Sequence, residues 1–341
     1  MNILTLTSTH LPLWEEYVAR QPDATVFHLA GWKRVIERST GHVGHYLMAM
    51  EQERVVGIYP LFMVSTRLFG TRGVSLPFVS YGGLVANNLE VEQALGEAAV
   101  RIARAAGCAS IELRQLYPVK SAWPTTDRKV TTEISTEGGA NAVFARLHQN
   151  VRNKIRKAEK NGVIVQQGLE FLPEFYAIYS RNLRDLGTPV LTRRFFEAVR
   201  EAFPSQTWIY RAVRKGTTLA AKMIIRDART CHFVWSASRR EALRYAPVQA
   251  MNWRAIEEAC EAGCDRIDLG RSTAESSHFD FKKYWGGVSR PLPWTYQVLD
   301  QTATPDLHKE NPKYALAIAV WKRLPLGVSR ILGPPIARGL P

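Results

Sequence analysis

The chain has 341 residues, of which 46% are hydrophobic and 22% charged, and its formal net charge is +14 at pH 7. This length and composition exclude a disordered or low-complexity chain and predict two globular domains, because one domain usually takes about 100–200 residues. The surplus of basic residues favours an anionic partner, which is nucleic acid, an acidic lipid surface or a phosphorylated substrate.

Targeting and cysteine patterns predict a cytoplasmic protein. The opening segment MNILTLTSTHLPLWEEY has neither a basic stretch nor a continuous apolar one, so we expect no secretory signal. No apolar run reaches the roughly 18 residues that a membrane span needs. The four cysteines are too few and too scattered for a disulfide framework, which favours a reducing compartment.

The first predicted domain, residues 1–140, mixes helices with strands. The expected elements, in chain order, are helices over Leu13–Arg20 and GWKRVIERS, strands over HYLMAM, RVVGIYPLFMV and the glycine-interrupted VSLPFVSYGGLV, a helix over Val91–Ala106 and a strand over Ser110–Leu113. The segment GWKRVIERS places Lys33, Arg34 and Arg38 beside an aromatic anchor, Trp32. It is a candidate binding surface for an anionic substrate.

A basic helix is predicted between the domains, from Asn141 to Lys160 within residues 141–165. It carries six basic residues against a single acid, Glu159: Arg146, Arg152, Lys154, Arg156, Lys157 and Lys160. Like charges on one helix repel, so a surface of this kind favours anion binding over a structural role alone. The alternative is a solvated helix face.

The second predicted domain, residues 166–300, repeats the order of the first. After helices over Leu172–Leu186 and Arg193–Glu201 come the strands TWIYRAV, AAKMIIRD and TCHFVWSAS, a helix over about Pro247–Ala262 and a further strand. The letters AGCASIEL at 106–113 align without gaps with AGCDRIDL at 262–269. This repeat predicts two copies of one β-rich α/β unit.

The stretch CDRIDLGRSTAESSHFDFKKYWGG, which begins at Cys264, holds the candidate catalytic residues. A short strand over Ile267–Leu269 is expected to end at Gly270. The strand delivers Asp268, Arg271 and Ser272, and aromatic and basic residues then alternate through Phe279, Phe281, Lys282, Lys283 and Trp285. This pattern is typical of a cation held beside an apolar wall; an aromatic patch with solvated lysines is the alternative.

The predicted tail, residues 301–341, is basic and amphipathic. From residue 311 onward it carries bases and no acid, interleaved with apolar residues: Lys313, Trp321, Lys322, Arg323, Leu324, Leu326, Arg330, Ile331, Leu332 and Arg338. Pro325, Pro334 and Pro335 are expected to prevent one long helix. We expect the tail to attach the protein to the inner face of the cytoplasmic membrane without crossing it. The alternative is that it packs on the fold.

The duplicated order, the basic helix and the motif FKKYWG resemble the Fem family of non-ribosomal peptidyl transferases. The residues that carry the resemblance are HQNVRNKIRKAEKNGV at 148–163, YAP at 245–247, DLG at 268–270, and Phe281-Lys282 followed by Trp285. The segment RNLRDLGTP, the DLGRS turn and the tail are similar to the exosortase-associated (PEP-CTERM) branch, found beside exopolysaccharide genes. The resemblance implies an α/β fold with mixed sheets, in two tandem GNAT-like acyltransferase domains.

The resemblance also implies an activity, the transfer of an aminoacyl group from aminoacyl-tRNA to an amine of a cell-envelope or exopolysaccharide precursor. It implies that Lys282 stabilises the tetrahedral oxyanion and that Phe281 shapes the channel, and Asp268 is placed with them in the catalytic set. The implied substrate-binding residues are Lys33, Arg34, Arg38, Arg152, Lys154, Arg156, Tyr245, Arg271, Ser272 and Trp285. Ile36 and Leu191 stand where the family has a lysine and an arginine for the precursor.

Two other functions remain open. One is an acyl-CoA-dependent N-acyltransferase; the segment REALRYAP at 240–247 disfavours it because it lacks the glycines that cradle a pyrophosphate, although Arg239, Arg240 and Arg244 remain. The other is a non-catalytic scaffold of a membrane polysaccharide-assembly complex. We expect tRNA, a phosphorylated or lipid-linked precursor and an anionic membrane surface as partners, and neither DNA nor a metal cofactor.

Overall fold

The computed structural model describes residues 1–67, 69–119, 123–126, 128–300 and 315–340. The chain forms two compact units. Unit 1 comprises Met1–Asp127, Leu292–Ala315 and Gly333–Pro341, and unit 2 comprises Arg128–Pro291 and Leu316–Leu332.

Strands and helices alternate along the described chain. The strands are β1 (Asn2–Thr5), β2 (Val43–Glu51), β3 (Arg54–Thr66), β4 (Gly70–Val74), β5 (Val85–Ala86), β6 (Ser110–Leu113), β7 (Thr125–Thr126), β8 (Lys129–Ser135), β9 (Ile164–Gln167), β10 (Thr207–Arg214), β11 (Thr217–Arg226), β12 (Thr230–Ser238), β13 (Arg266–Thr273), β14 (Val288–Pro291) and β15 (Trp294–Val298). The helices are α1 (Leu11–Arg20), α2 (Gly31–Thr40), α3 (Leu89–Ala105), α4 (Gly139–Arg146), α5 (Gln149–Lys160), α6 (Leu172–Asp185), α7 (Arg193–Ala202), α8 (Pro247–Glu261), α9 (Ser277–Lys283), α10 (Ala315–Trp321) and α11 (Leu326–Ala337).

Unit 1 is built on a mixed sheet in the order β1-β2-β3-β4-β6-β15-β7, with β5 paired to β3. The neighbours are antiparallel except for β4 and β6, which run parallel over two residue pairs. Helix α3 begins at the Asn88 cap, whose Oδ1 accepts a hydrogen bond from the Val91 amide at 3.0 Å. Its buried face packs Val91 and Leu95 against Leu47 and Tyr59 of the sheet.

Unit 2 repeats this plan in the order β14-β8-β13-β12-β11-β10-β9. Here β12 and β13 are the parallel pair, joined from Thr230–Arg266 to His232–Asp268. Helix α8 starts with Pro247, whose fixed φ suits the first helical turn, and buries Met251, Ala255 and Ile256 in the unit 2 core. The predicted α/β fold with a duplicated unit is confirmed.

The division of the chain differs from the predicted boundaries at 140 and 300. Strand β8 pairs with β13 of unit 2, whereas β15 pairs with β6 of unit 1. The segment predicted as a separate element, residues 141–165, belongs to unit 2 as α4, α5 and β9. The observed boundaries differ because each of these strands pairs with a strand more than 100 positions away, and local sequence patterns do not indicate such partners.

Three local predictions are corrected. The basic helix breaks at Leu147, which is extended (φ −62°, ψ 141°) and buried. Helix α5 then begins after the His148 cap, whose Nδ1 accepts a hydrogen bond from the Asn150 amide at 3.2 Å. In VSLPFVSYGGLV only the two end residues fall in strands, Val74 at the end of β4 and Val85 at the start of β5. Strand β13 does not end at Gly270 but continues to Thr273 through a bulge.

The tail is divided between the two units. Residues 301–314 lie outside the described residues, so the expectation for Lys313 stays a prediction. Helices α10 and α11 are separated at Pro325, as predicted, but α11 continues through Pro334 and Pro335.

Helices α10 and α11 pack on α6 in unit 2. Arg184 Nη1 donates to the Leu324 carbonyl at 2.5 Å, and Arg330 Nε donates to Ser180 Oγ at 2.9 Å. The same two helices keep an apolar surface in solvent, because Leu316, Val320 and Ile331 are 77%, 52% and 75% exposed. No helix in the described part of the chain combines the length and apolar character needed to cross a bilayer.

Candidate functional site

Unit 2 contains a cavity of about 590 Å³ beyond the point where β12 and β13 separate. Its walls come from β11, β12 and β13, from the start of α8, and from residues of α5, α6 and α9. The parallel ladder ends at His232–Asp268, and the next residues of the two strands, Phe233 and Leu269, line the cavity. Parallel strands that part in this way leave backbone groups and side chains of both strands available to a ligand.

Gly270 forms a bulge in β13 just after the last residue pair of the parallel ladder. The pairing of β13 with β8 shifts register between Asp268 and Arg271, and Gly270 has φ +77°. A Cβ at this position would lie 2.8 Å from the Phe233 carbonyl oxygen. Only glycine satisfies both the left-handed backbone and the close approach of β12.

The bulge is held by the buried carboxylate of Asp268, which is 1% exposed. Its Oδ1 accepts from the Gly270 amide at 2.7 Å and from the Thr131 hydroxyl. Its Oδ2 lies 3.5 Å from His232 Nδ1, and His232 Nε2 lies 3.3 Å from Asp227 Oδ2. Burial by itself lowers the pKa of His232, but the hydrogen bonds and charges of Asp227 and Asp268 outweigh it and raise the pKa to about 9. The buried Asp268 is therefore paired with an imidazolium at neutral pH.

Lys282 reaches the bulge from α9. This helix begins at the Ser276 cap, whose Oγ accepts from the Phe279 amide at 3.3 Å. Lys282 Nζ donates to the Gly270 carbonyl at 2.5 Å and to the Arg271 carbonyl at 3.1 Å. Burial lowers the pKa of Lys282 to about 8, although the Asp268 charge opposes the shift. An ammonium has three N–H donors, so one remains after these two carbonyls.

A second lysine, Lys222 of β11, lines the same cavity and was not among the predicted site residues. It is 2% exposed; its Nζ donates to Asn252 Oδ1 and lies 3.5 Å from the centre of the Phe233 ring. No carboxylate in the described chain forms an ion pair with it. The signal in the sequence was a single lysine inside the apolar run AAKMII, where a charge is seldom buried without a function.

Burial lowers the pKa of Lys222 well below its usual value, and the Lys282 charge lowers it further. The ring of Phe233 favours a cation by about 0.5–2 kcal/mol. Desolvation of an unpaired ammonium costs several kcal/mol, which is more. Burial therefore favours the neutral amine over the ammonium at Lys222.

The predicted site residues divide into four groups: residues that line the cavity, Asp268, the other residues of unit 2, and the residues of unit 1. Lys154, Phe281 and Lys282 line the cavity, together with Lys157 of the predicted basic helix and Arg244. Asp268 does not line it but holds the bulge.

The remaining predicted residues of unit 2 do not line the cavity. Trp285 is fully buried in the core and packs edge-on against Phe281, with ring centres 6.2 Å apart. Arg152 donates to the Ala145 and Leu147 carbonyls at 2.9 Å each, which closes the end of α4.

Arg156 and Tyr245 make cation–π contacts. Arg271 and Ser272 lie in the last part of β13. The Arg156 guanidinium lies 5.9 Å from the Phe144 ring, and the Tyr245 ring lies between two guanidinium groups at 4.3 and 4.8 Å. Arg271 is exposed and supplies a carbonyl to Lys282, whereas Ser272 is 6% exposed.

The predicted anion-binding residues of unit 1 lie on α2. Lys33 forms an ion pair with Glu37 at 2.5 Å, and Arg34 and Arg38 are exposed. Ile36 is fully buried in the unit 1 core. It serves packing, which explains why no lysine stands there.

Comparison with known proteins identifies the fold. Residues 145–283 match the family described as an acetyltransferase (GNAT) domain. A crystal structure of FemX matches 89% of this chain and 98% of its own, with a TM-score of 0.69 and 15% identity. The C-terminal domain of a putative lysylphosphatidylglycerol synthetase from Agrobacterium fabrum matches 85% of this chain and 92% of its own (TM-score 0.58, 13% identity). L-PGS from Bacillus licheniformis matches 96% and 98% (TM-score 0.56, 11% identity). No curated protein matches.

The chain therefore has a tandem GNAT-like acyltransferase fold, similar to that of FemX. The match to the GNAT domain falls in unit 2, the unit that contains Lys282 and the cavity.

The charged His232 network predicts a pH-dependent stability. Because folding raises the pKa of His232 from about 6.5 to about 9, its stabilisation is fully present below pH 6.5 and is lost as the pH rises through 9. We expect urea denaturation to show the free energy of unfolding of the wild type, relative to His232→Gln, decreasing by a few kcal/mol between pH 6.5 and 9.5. Taking the difference from this variant removes the titrations common to both proteins. A pH-independent difference would mean that His232 is neutral.

Proposed function

We propose that this protein is an aminoacyltransferase of Fem type, with its catalytic centre in unit 2. The observation that carries the proposal is the position of Lys282, a desolvated ammonium held by two carbonyls of the β13 bulge at the cavity wall. When an amine attacks an ester carbonyl, negative charge develops on the carbonyl oxygen. The remaining N–H donor of Lys282 stabilises that charge by a few kcal/mol. Phe281 forms the apolar wall beside it.

Direct transfer needs no covalent enzyme intermediate. The amine of the acceptor attacks the carbonyl of the activated donor, and the tetrahedral intermediate collapses with loss of the donor's oxygen. The parts that this reaction requires of the protein are a stabilised oxyanion, a channel and binding sites for two substrates.

We propose aminoacyl-tRNA as the donor. Lys154 and Lys157 on α5 and Arg244 before α8 line the cavity, and all three side chains are exposed. Three exposed cations in the cavity lining suit a phosphate backbone. A CoA pyrophosphate is usually bound by backbone N–H groups of a glycine-containing loop, whereas residues 240–247 have no glycine, and Pro247 has no N–H.

Acyl-CoA remains the second candidate donor, because one observation favours it. The start of α8 contributes Ala246, Val248 and Gln249 to the cavity, so the positive end of that helix faces the ligand. A tandem GNAT protein from the clavulanic acid biosynthesis pathway, described without AcCoA, has a similar fold at a TM-score of 0.50 and 11% identity.

For the acceptor we propose an amine of a lipid-linked or phosphorylated precursor of the cell envelope or of an exopolysaccharide, as in the exosortase-associated branch. One structure of similar fold is the C-terminal domain of a putative lysylphosphatidylglycerol synthetase, which supports an acceptor at a lipid surface. The exposed apolar residues of α10 and α11, with Lys322 and Arg323 beside them, support peripheral attachment to an anionic membrane.

The role of Lys282 is tested by Lys282→Met, with Lys283→Met as the matched control. Lys283 is the adjacent residue of α9, but its side chain is 55% exposed, pairs with Asp280 at 3.7 Å and does not line the cavity. We expect Lys282→Met to lower kcat/KM about 10²–10³-fold in transfer from charged tRNA, with little change in urea stability. Lys283→Met is expected to retain near wild-type activity. Equal losses in the two variants, or a fully active Lys282→Met, would place the site that stabilises the oxyanion elsewhere.

The donor is tested by the salt dependence of tRNA binding. We expect Lys154→Glu/Lys157→Glu to weaken binding of bulk tRNA and to reduce the slope of log Kd against log salt by about 1–2, because each phosphate contact contributes nearly one unit. The control is Lys160→Glu, which changes the same helix at an exposed position that does not line the cavity. An unchanged slope, with binding of acyl-CoA instead, would select the second candidate donor.

The tail is tested by vesicle sedimentation. We expect the wild type to pellet with vesicles rich in anionic lipid in a salt-sensitive manner and Leu316→Glu/Ile331→Glu to remain in the supernatant, because the new charges oppose both apolar insertion and the negative surface. Val288→Glu is the control, since Val288 is 76% exposed on β14. If all three proteins pellet equally, the tail has a structural role and does not attach the protein to the membrane.

A further inference from the structure

The proposed transfer reaction also needs a proton acceptor, and no residue has yet been assigned to that role. After an amine attacks a carbonyl, its nitrogen carries a positive charge until a proton is removed. None of the described residues that line the cavity is an aspartate or a glutamate. The titratable groups of the lining are Lys154, Lys157, Lys222, Arg244, His278 and Lys282.

We propose that Lys222 is the general base of this reaction. It lies in the cavity that contains Lys282, on a rigid central strand, with its amine held by Asn252 of α8. Lys154, Lys157 and Arg244 are exposed cations, which have no lone pair with which to accept a proton. Lys282 is needed as an ammonium to stabilise the oxyanion. The inference rests on the proposed transferase activity and adds a second lysine with the opposite protonation state.

The surroundings of Lys222 keep it unprotonated from every side. Asn252 on α8 is uncharged, and the Cys231 thiol on β12 has a pKa raised by burial, so neither supplies an anion. On β10 the Tyr210 hydroxyl donates to Glu258, whose other oxygen accepts from Arg254 at 2.7 Å. On α9 the charge of Lys282 disfavours a second cation nearby. An amine in this setting has a lone pair available to a ligand in the cavity.

The proton balance of the step closes without any further reactant. The acceptor nitrogen forms the C–N bond, and the carbonyl electrons move to the oxygen beside Lys282. Lys222 Nζ takes one proton from the positively charged nitrogen and becomes an ammonium. The oxyanion then reforms the carbonyl, the C–O bond to the tRNA ribose breaks, and the departing oxygen receives the proton from Lys222. Amine and ester have become amide and alcohol, and the enzyme is restored.

The protonation state can be measured without any substrate. We propose NMR titration of the full-length protein labelled with ¹³C-lysine, in which the ε-carbon resonance of Lys222 is the one missing from Lys222→Met. We expect it to titrate well below the usual lysine pKa of about 10.4. A resonance that titrates with the exposed lysines overturns the inference, because Lys222 is then a cation.

The catalytic role is measured by transfer from bulk aminoacyl-tRNA to glycinamide as the probe amine. Lys222→Met is expected to lower kcat about 10²–10⁴-fold. Lys222→Ala is expected to regain activity with added trimethylamine, which accepts a proton but forms no stable amide. The control is Lys215→Met in the turn before β11, where the side chain is exposed.

The outcomes separate the two proposals. If Lys222 has a low pKa but Lys222→Met is active, Lys222 is not the base. If His278→Gln loses activity and Lys222→Met does not, the base is His278. Both results overturn the assignment of Lys222 and leave the transferase proposal standing. Failure of trimethylamine to restore Lys222→Ala, in a variant with wild-type urea stability, overturns it as well. A wild type that transfers from neither charged tRNA nor acyl-CoA overturns the proposed function instead.

Discussion

The site in unit 2 depends on one interaction, the buried Asp268 carboxylate accepting the amide of Gly270. This contact fixes a left-handed bulge, and the bulge turns two backbone carbonyls toward α9, where they accept from Lys282. A buried carboxylate is unstable without a partner, and His232 provides a positive one. The chain of contacts from Asp227 through His232 and Asp268 therefore ends at the ammonium that the proposed reaction uses.

Two lysines share one cavity and differ in what surrounds them. Lys282 contacts carbonyl oxygens, and the negative charge of Asp268 opposes the effect of burial, so its pKa is about 8. Lys222 contacts an amide and an aromatic ring, and burial lowers its pKa well below the usual value. Equal residue types thus acquire opposite roles, because burial penalises the charged form and only one of the two has compensation.

Unit 1 has the same strand plan without the same site. Its parallel pair, β4 and β6, is joined over two residue pairs, and the repeat places Arg114 at the position of Gly270. The Arg114 side chain is 1% exposed; its Nε donates to Glu112 at 2.6 Å, and its Nη1 donates to the Val79 carbonyl at 3.2 Å. A guanidinium occupies the position where unit 2 keeps its glycine bulge. The two copies of the repeat therefore differ at the position that forms the bulge in unit 2.

The sequence by itself determined the duplicated α/β plan, most helices and strands, and the pair Phe281-Lys282, because periodicity, turn residues and repeats are encoded between near neighbours. Only the tertiary structure decided that β8 and β15 join the sheets they do, and that the basic helix breaks at Leu147. Contacts between distant residues also sorted the candidate residues, placing Trp285 in the core, Arg152 at a helix end and Lys154 at the cavity. Lys222 owes its protonation state to partners about 30 and 60 positions away, Asn252 and Lys282. A pKa depends on burial and on charges in space, and neither is present in the order of the letters.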